Sequence, residues 1–219
     1  MSKFLNELQG NELLSSYNIP MAKSTLCKNS DEVNRCIEEF EFPIVMKILS
    51  SDIIHKTEAK CVFVGVKNEN EAKQTFNTII DNAKAYKADA IIQGVLIQEM
   101  AQKGLEVIIG MKTDPQFGPV IMVGTGGIYV EVFNDISLRI LPISKYDAYE
   151  MLKETKLYEI INGARGTIYD IETLIDALLK LSKLIEENPN MQEIDINPFF
   201  LYEKGKGGKG VDALISISE

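Results

Sequence analysis

Pro43-Ile44-Val45-Met46-Lys47-Ile48 runs on through Ser51-Asp52-Ile53-Ile54-His55-Lys56-Thr57-Glu58. The first part reads as a buried strand with a lysine near its end. The second reads as a polar loop carrying the only histidine of the chain. An amine at the mouth of an apolar strand is costly unless an anion meets it. An imidazole flanked by Lys56, Thr57 and Glu58 is suited to handle a proton or a phosphoryl group. The bland alternatives are a lysine whose stem lies along the strand while its head reaches water, and an ordinary surface histidine.

Working outward, the elements alternate between strands and helices. Helices are expected over 11–17, 31–40, from Asn68 and Glu71 to about Ala85, from Ser144 and Asp147 to Glu154, and from Ile171 to about Asn188. Asn68 with Glu71, and Ser144 with Asp147, have the residue types and spacing of helix N-terminal caps. Ile171, Leu174, Ile175, Leu178 and Ile185 form an apolar stripe with helical period. Strands are expected over 21–27, 43–48, 62–66, 91–100, 105–111, 120–123, 129–133, 138–141, 191–202 and 211–217. The tip from Lys204 to Gly210 reads as a flexible turn. This order is that of an α+β, or mixed α/β, fold rather than a regular βαβ winding.

Composition narrows the function classes. A chain of 219 residues with 45% apolar content can bury a full core. A net charge of −9 argues against a nucleic-acid partner, which needs clustered lysine and arginine. Cys27, Cys36 and Cys61 are odd in number and lack CxxC spacing, so the sequence supports neither a zinc motif nor a disulfide framework. Met1-Ser2-Lys3-Phe4-Leu5-Asn6-Glu7 has no signal-peptide pattern, and no apolar run approaches the ~20 residues of a membrane span. The expectation is a cytoplasmic protein with no membrane association.

Two sets of carboxylates carry chemistry. If Ala101 to Gly104 form a hairpin turn, Glu99 lies opposite Glu106, a like-charged pair that calls for a ligand or counter-charge between them. An exposed, solvent-screened sheet face is the competing reading. Glu193, Asp195 and Asn197 recur at a spacing of two, so a strand projects them to one side while Ile194 and Ile196 face a core. Asp212, across the next turn, can return to the same side. Oxygen donors on adjacent strands suit Mg²⁺ arriving with a phosphate-bearing substrate, whereas the plain alternative is a polar outer face. Gly124-Thr125-Gly126-Gly127 offers backbone donors to an anion, or simply a sharp turn. Asn162-Gly163-Ala164-Arg165-Gly166 presents an arginine between glycines, suited to a bidentate phosphate contact or solvated in a loop.

Taken in order, PIVMK, DIIHKTEAK, EVIIGMKTDPQFGPVIMVGTGGIYVEVFND, NGARG and EIDINP followed by VDA resemble an ATP-grasp domain. More closely, the chain resembles the β subunit of ADP-forming acyl-CoA synthetases (acetate–CoA ligase, ADP-forming). The resemblance spans residues 43 to 213. It implies two α+β lobes with a nucleotide cleft between them: a smaller lid lobe over 21–93, and a larger lobe made of 1–20 and 94–219 that carries the Mg-binding strands. It implies ATP or ADP as substrate and Mg²⁺ as cofactor. Lys47 would meet the nucleotide phosphates, Glu99 and Met100 the adenine hinge, and Glu106 the ribose hydroxyls. Asn197 and Asp212, with Asp195 close behind, would hold Mg²⁺. Arg165 would stabilise phosphoryl charge, and His55 would relay phosphate as a phosphohistidine.

The chain departs from many ATP-grasp proteins where Glu58-Ala59-Lys60-Cys61 replaces paired glycines. Lys60 then supplies positive charge in place of backbone donors. No GxGxxG fingerprint is present, so the thioester half is expected outside this chain; the resemblance implies that a CoA-binding α subunit carries it, in an α2β2 heterotetramer. The expected reaction is acyl-CoA + ADP + Pi ⇌ acid + ATP + CoA. The alternatives are a stand-alone ATP-grasp carboxylate–amine ligase and a non-catalytic nucleotide-binding regulatory subunit.

Overall fold

A computed structural model of the chain describes residues 2–53, 55–127 and 135–218. The strand expected over 129–133 lies outside these residues. The chain separates into two compact units, one formed by Ala22–Met100 and the other by Met1–Met21 with Ala101–Glu219.

The smaller unit is a four-stranded antiparallel sheet with helices on one face. Its strands are β2 (Ser24–Cys27), β3 (Ile44–Ser50), β4 (Val62–Val66) and β5 (Ile92–Glu99), in the order β2-β5-β3-β4. Its helices are α2 (Val33–Ile37), entered through a single 3₁₀ turn at Ser30–Glu32, and α3 (Glu69–Tyr86). Alternation decides which side of the sheet is covered. Ile44, Met46 and Ile48 of β3 and Val95 and Ile97 of β5 share a core with Ala72, Phe76, Ile79 and Ala83 of α3. Those α3 positions recur at three and four residues, the signature of one buried helical face. The cap at Asn68 forms as its residue types predict: its side chain accepts the Glu71 N–H at 3.0 Å. Glu71 in turn accepts the Lys67 N–H at 2.9 Å, one residue earlier than in a capping box. A lobe boundary between 93 and 94 would cut β5, which pairs with β3 from Ile92 to Glu99 and with β2 from Val95 to Gln98.

In the larger unit, β1 (Ser2–Phe4), β6 (Leu105–Asp114), β7 (Gly118–Thr125), β8 (Ile136–Ile140), β9 (Met191–Leu201), β10 (Gly208–Gly210) and β11 (Ala213–Ser218) form one antiparallel sheet. The order is β1-β11-β9-β6-β7-β8, with β10 also pairing with β9. The helices are α1 (Glu7–Ser16), α4 (Lys145–Lys153), α5 (Lys156–Ile161) and α6 (Ile171–Glu187). Val107, Ile109, Ile121, Val123, Ile194 and Ile196 point into the core filled by α4, α5 and α6. Each fully buried leucine of α6 contributes about 1.5–3 kcal/mol of burial free energy.

α4 opens on a complete capping box between Ser144 and Asp147, as its sequence indicates. α5 is too short to show a period, and the sequence reading leaves it out. It is started by Asp135, whose carboxylate accepts the N–H groups of Lys156 at 2.8 Å and Leu157 at 3.2 Å. The Gly-Lys tip is more ordered than expected. β10 pairs within it, and Asp170 accepts the N–H groups of Gly205 and Gly207 at 2.9 and 3.1 Å. No helix among the described residues is long and apolar enough to cross a membrane.

The Glu99–Glu106 hairpin does not form. β5 pairs with β2 and β3, with Glu99 opposite Ile44, while β6 pairs with β7 and β9, with Glu106 opposite Phe200. Residues 101–104 therefore join two sheets instead of turning within one. The two carboxylates never face each other across a ladder.

Candidate active site

The face of the large sheet away from its helices carries the densest functional set. Register places Leu138 of β8, Met122 of β7, Gly110 of β6, Asp195 of β9 and Leu214 of β11 in one row across five strands. The next row joins Ile140, Val120, Lys112, Glu193 and Ser216. A groove of about 640 Å³ opens beside the β8, β7 and β9 members of these rows, running from Glu193 and Asp195 across to Arg139, Ile140 and Phe117. Its apolar floor follows from residues 120, 122, 138 and 140, all of which alternate outward from the helix-covered core.

Asp195 is the chemically unusual group. Its Oδ1 is buried and has no hydrogen-bond partner among the described residues. Burial, then Glu193 and then Asp212, hold its carboxyl above the usual carboxylate range. Gly110, directly across β6, leaves room beside it but little to spare: a Cβ there would stand 3.0 Å from the Ile194 carbonyl. Asn197 lies one step further along the same face, and its N–H donates to the Asp212 carbonyl at 3.2 Å. Ile194 and Ile196 are buried between them, as the alternation predicts. The structure thus brings Asp195, Asn197 and Asp212 together on two adjacent strands. A buried carboxylate oxygen without a donor, close to two further acids, belongs to a set of hard oxygen donors. These residues fit Mg²⁺.

Glu106 lies at the start of β6, with its side chain exposed. The glycine run ends on it: the Gly126 N–H donates to the Glu106 carbonyl at 2.8 Å. A Cβ on Gly127, whose φ is +75°, would come within 2.1 Å of Glu106 Oε2. Gly126 and Gly127 are therefore needed for close approach to β6, and the Gly126 donor is already used. The anion-cradle reading of this run gives way to the packing one. Arg165 sits exposed at the tip of a loop closed by the Asn162–Ile168 bridge, where Gly163 and Gly166 take φ of +97° and +87°.

The remaining candidates belong to the smaller unit. Lys47 is the fourth residue of β3, inside the strand rather than at its end, opposite Val62 on one side and Leu96 on the other. It is only 7% exposed, which is rare for a lysine. Glu99 ends β5 and accepts the Lys23 N–H at 2.7 Å, while Lys23 O accepts the Glu99 N–H at 2.9 Å. Met100 follows, exposed, as the last residue of the unit.

His55 is exposed on a loop fixed at both ends. Ile53 precedes it fully buried, and Ala59 and Cys61 follow it buried. The loop closes on itself through Ala59 N–H to His55 O at 3.1 Å and Cys61 N–H to Lys56 O at 2.8 Å. Asn82 of α3 donates to the Lys60 carbonyl at 2.7 Å. Lys60 adopts φ of +53°, so the left-handed turn is made here without glycine.

The family of ATP-grasp domains matches residues 1–217. The chain is 46% identical to the acetate–CoA ligase [ADP-forming] I subunit beta of Pyrococcus furiosus, over 91% of this chain and 86% of that protein. Among solved structures it is similar to the dinucleotide-forming acetyl-coenzyme A synthetase 1 of Ca. Korarchaeum cryptofilum in complex with coenzyme A and Ca-AMPCP. The TM-score is 0.93 at 40% identity, covering 99% of this chain and 94% of that one. A second structure of the same protein holds coenzyme A and Mg-AMPPCP, with its phosphohistidine segment pointing towards the nucleotide-binding site. It matches with a TM-score of 0.84 at 37% identity, covering 99% and 93%.

Proposed function

Since the chain belongs to the ATP-grasp family and, within it, to the β subunits of ADP-forming acetate–CoA ligases, we propose that it performs the nucleotide half of acyl-CoA + ADP + Pi ⇌ acid + ATP + CoA. The observation that carries this reading is the group Asp195, Asn197 and Asp212 with its orphaned buried oxygen. Mg²⁺ bound with the nucleotide would neutralise phosphate charge there. Asn197 and Asp212 would hold the ion, with Asp195 close behind.

Lys47 contributes a fixed positive charge to the phosphates, because a buried amine is worth most to an anion when little water screens it. Glu99 and Met100 contact the adenine, and Glu106 the ribose hydroxyls. A ring nitrogen of His55 attacks the γ-phosphorus of ATP. The bond from that phosphorus to the bridging oxygen breaks, and ADP leaves with the electron pair. In the ATP-forming direction the same phosphoryl group passes from His55 to ADP. Arg165 balances charge on the moving group. His55 then exchanges its phosphoryl group with a CoA-binding partner subunit, in an α2β2 assembly within the cytoplasm. The beta-subunit name of the relative and the phosphohistidine segment of the similar structure support this division of labour.

The test is reconstitution with the CoA-binding subunit, followed through ATP made from acetyl-CoA, ADP and phosphate. His55→Asn is expected to abolish turnover and the acid-labile label from γ-labelled ATP, while Mg-nucleotide binding stays within twofold of wild type. Turnover retained by this variant would overturn the relay.

A further inference from the structure

Cys27 and Cys36 lie nine positions apart with no metal-binding spacing, yet the fold closes them on one another. Cys27 is the last residue of β2. Cys36 is in α2, one helical turn beyond Glu32, which sits in the 3₁₀ turn before that helix. One ligand atom from each of Cys27, Glu32 and Cys36 lies within 4.8 Å of the other two. A point therefore exists no more than about 2.8 Å from all three. Zinc bonds of roughly 2.3 Å to sulfur and 2.0–2.2 Å to oxygen need each ligand to move inward by about half an ångström.

The environment suits this contraction. Cys27 is fully buried and anchored in the core with Val33 and Ile37, while Glu32 and Cys36 are half exposed and leave a route in. The bonds to be exchanged are weak: Cys27 Sγ to Asn29 O at 3.2 Å, and Cys36 Sγ to Leu26 O at 3.9 Å. The Glu32 carboxylate accepts Asn29 Nδ2 at 2.9 Å and the Lys28 N–H at 3.3 Å, and makes no ion pair with any described residue. Burial, and then the neighbouring Cys36, push the Cys27 thiol up to about 12, so without metal Cys27 is not a reactive thiolate. Two sulfurs and one carboxylate select a soft or borderline cation and disfavour Mg²⁺, which separates this cluster chemically from the oxygen set at Asp195.

We propose that Cys27, Glu32 and Cys36 form a binding site for one thiophilic divalent cation of the zinc type, with water in the fourth position. The ion ties the end of β2 to the start of α2 and releases thiol protons on binding.

The test uses the full-length chain under a phosphine reductant. Zn²⁺ is titrated against a chromogenic chelator, and Co²⁺ is the spectroscopic probe. The expected result is one equivalent of Zn²⁺ per chain, a thiolate-to-cobalt charge-transfer band and a raised thermal midpoint. Affinity should fall at least tenfold in Cys36→Ser and measurably in Glu32→Gln, while Cys61→Ser, which alters the buried thiol outside the cluster, binds as wild type does. Glu32→Gln leaves both thiols in place, so it reports on the site even if Cys36→Ser folds poorly. Absence of the charge-transfer band, or Zn²⁺ affinity equal in wild type and Cys36→Ser, would overturn the assignment.

Discussion

Asp195→Asn should make the ligand-free protein more stable and the Mg-nucleotide complex less so. The substitution preserves volume, removes the charge and gives the buried end a donor. A buried acceptor without a partner costs about 1–3 kcal/mol, and Glu193 and Asp212 add repulsion to that. Relief of the lower part of this range, about 1 kcal/mol, corresponds to a thermal midpoint higher by about 2–4 °C. The ligand side runs the other way. With Mg-ADP at a hundred times its dissociation constant, wild type gains about 2.7 kcal/mol, most of which the variant forfeits.

The pH dependence follows from the direction of the shift. Asp195 is raised, so its native-state penalty is present above its folded pKa and is relieved as pH falls through it. The stability gap between apo variant and apo wild type should therefore narrow on acidification, starting above the ordinary carboxylate range. Thermal unfolding in EDTA and in saturating Mg-ADP, at neutral and mildly acidic pH, measures all three effects. A variant that is less stable without ligand, yet shows the wild-type Mg-ADP shift, refutes the reasoning.

Lys47→Met keeps the stem length inside β3 and removes the amine. Nucleotide affinity should drop roughly tenfold to a hundredfold, the value of ~1.5–3 kcal/mol for a hydrogen bond to a charged group, with the fold intact by circular dichroism. Gly127→Ala places a Cβ within 2.1 Å of Glu106 Oε2 at a φ of +75°, so it must push that carboxylate aside. Calorimetry should show weaker ADP binding from Gly127→Ala, and no further loss when Glu106→Gln is added. Arg139→Met removes the bidentate partner of Glu154, whose carboxyl is lowered to about 2 by Arg139 and then Ser137. The pair is partly exposed and screened by solvent, so the cost at pH 7 is about 0.5–1 kcal/mol. Because the folded pKa is depressed, this stabilisation is complete above the ordinary glutamate range and is lost as pH falls toward 2. Urea unfolding at pH 7, 4 and 3 should show the two proteins converging; a constant gap would contradict the assignment.

What was legible in the sequence was local. Asn68, Ser144 and Asp147 announce helix starts because a cap is a contact between residues three apart. The alternation of Glu193, Asp195 and Asn197 with Ile194 and Ile196 shows which side faces the core, since a strand has no other way to sort them. Partnership between distant elements was not legible. Four residues between two apolar strands read as a hairpin, yet β5 and β6 each find better partners far away in the chain, and the same four residues join two sheets. Asp135 starts α5 from twenty-one residues upstream, so no spacing reveals it. Cys27 and Cys36 meet only because a 3₁₀ turn folds α2 back over the end of β2.

The large sheet shows why the legible part was enough to find the candidate site. One face is saturated: Ile194, Ile196, Val107 and Ile121 are buried against helices, and their packing supplies stability. The opposite face carries what that packing does not need, including an acid whose buried oxygen the described residues do not satisfy. Because side chains alternate, a single strand serves both ends, and a substitution at 194 or 196 acts through the core while one at 193, 195 or 197 acts through the polar face. The sequence marks this face by repeated polar residues set between core residues, a pattern that also fits a plain polar outer face. The buried Asp195 oxygen, which no described residue satisfies, separates Asp195 from an ordinary solvated acid on such a face.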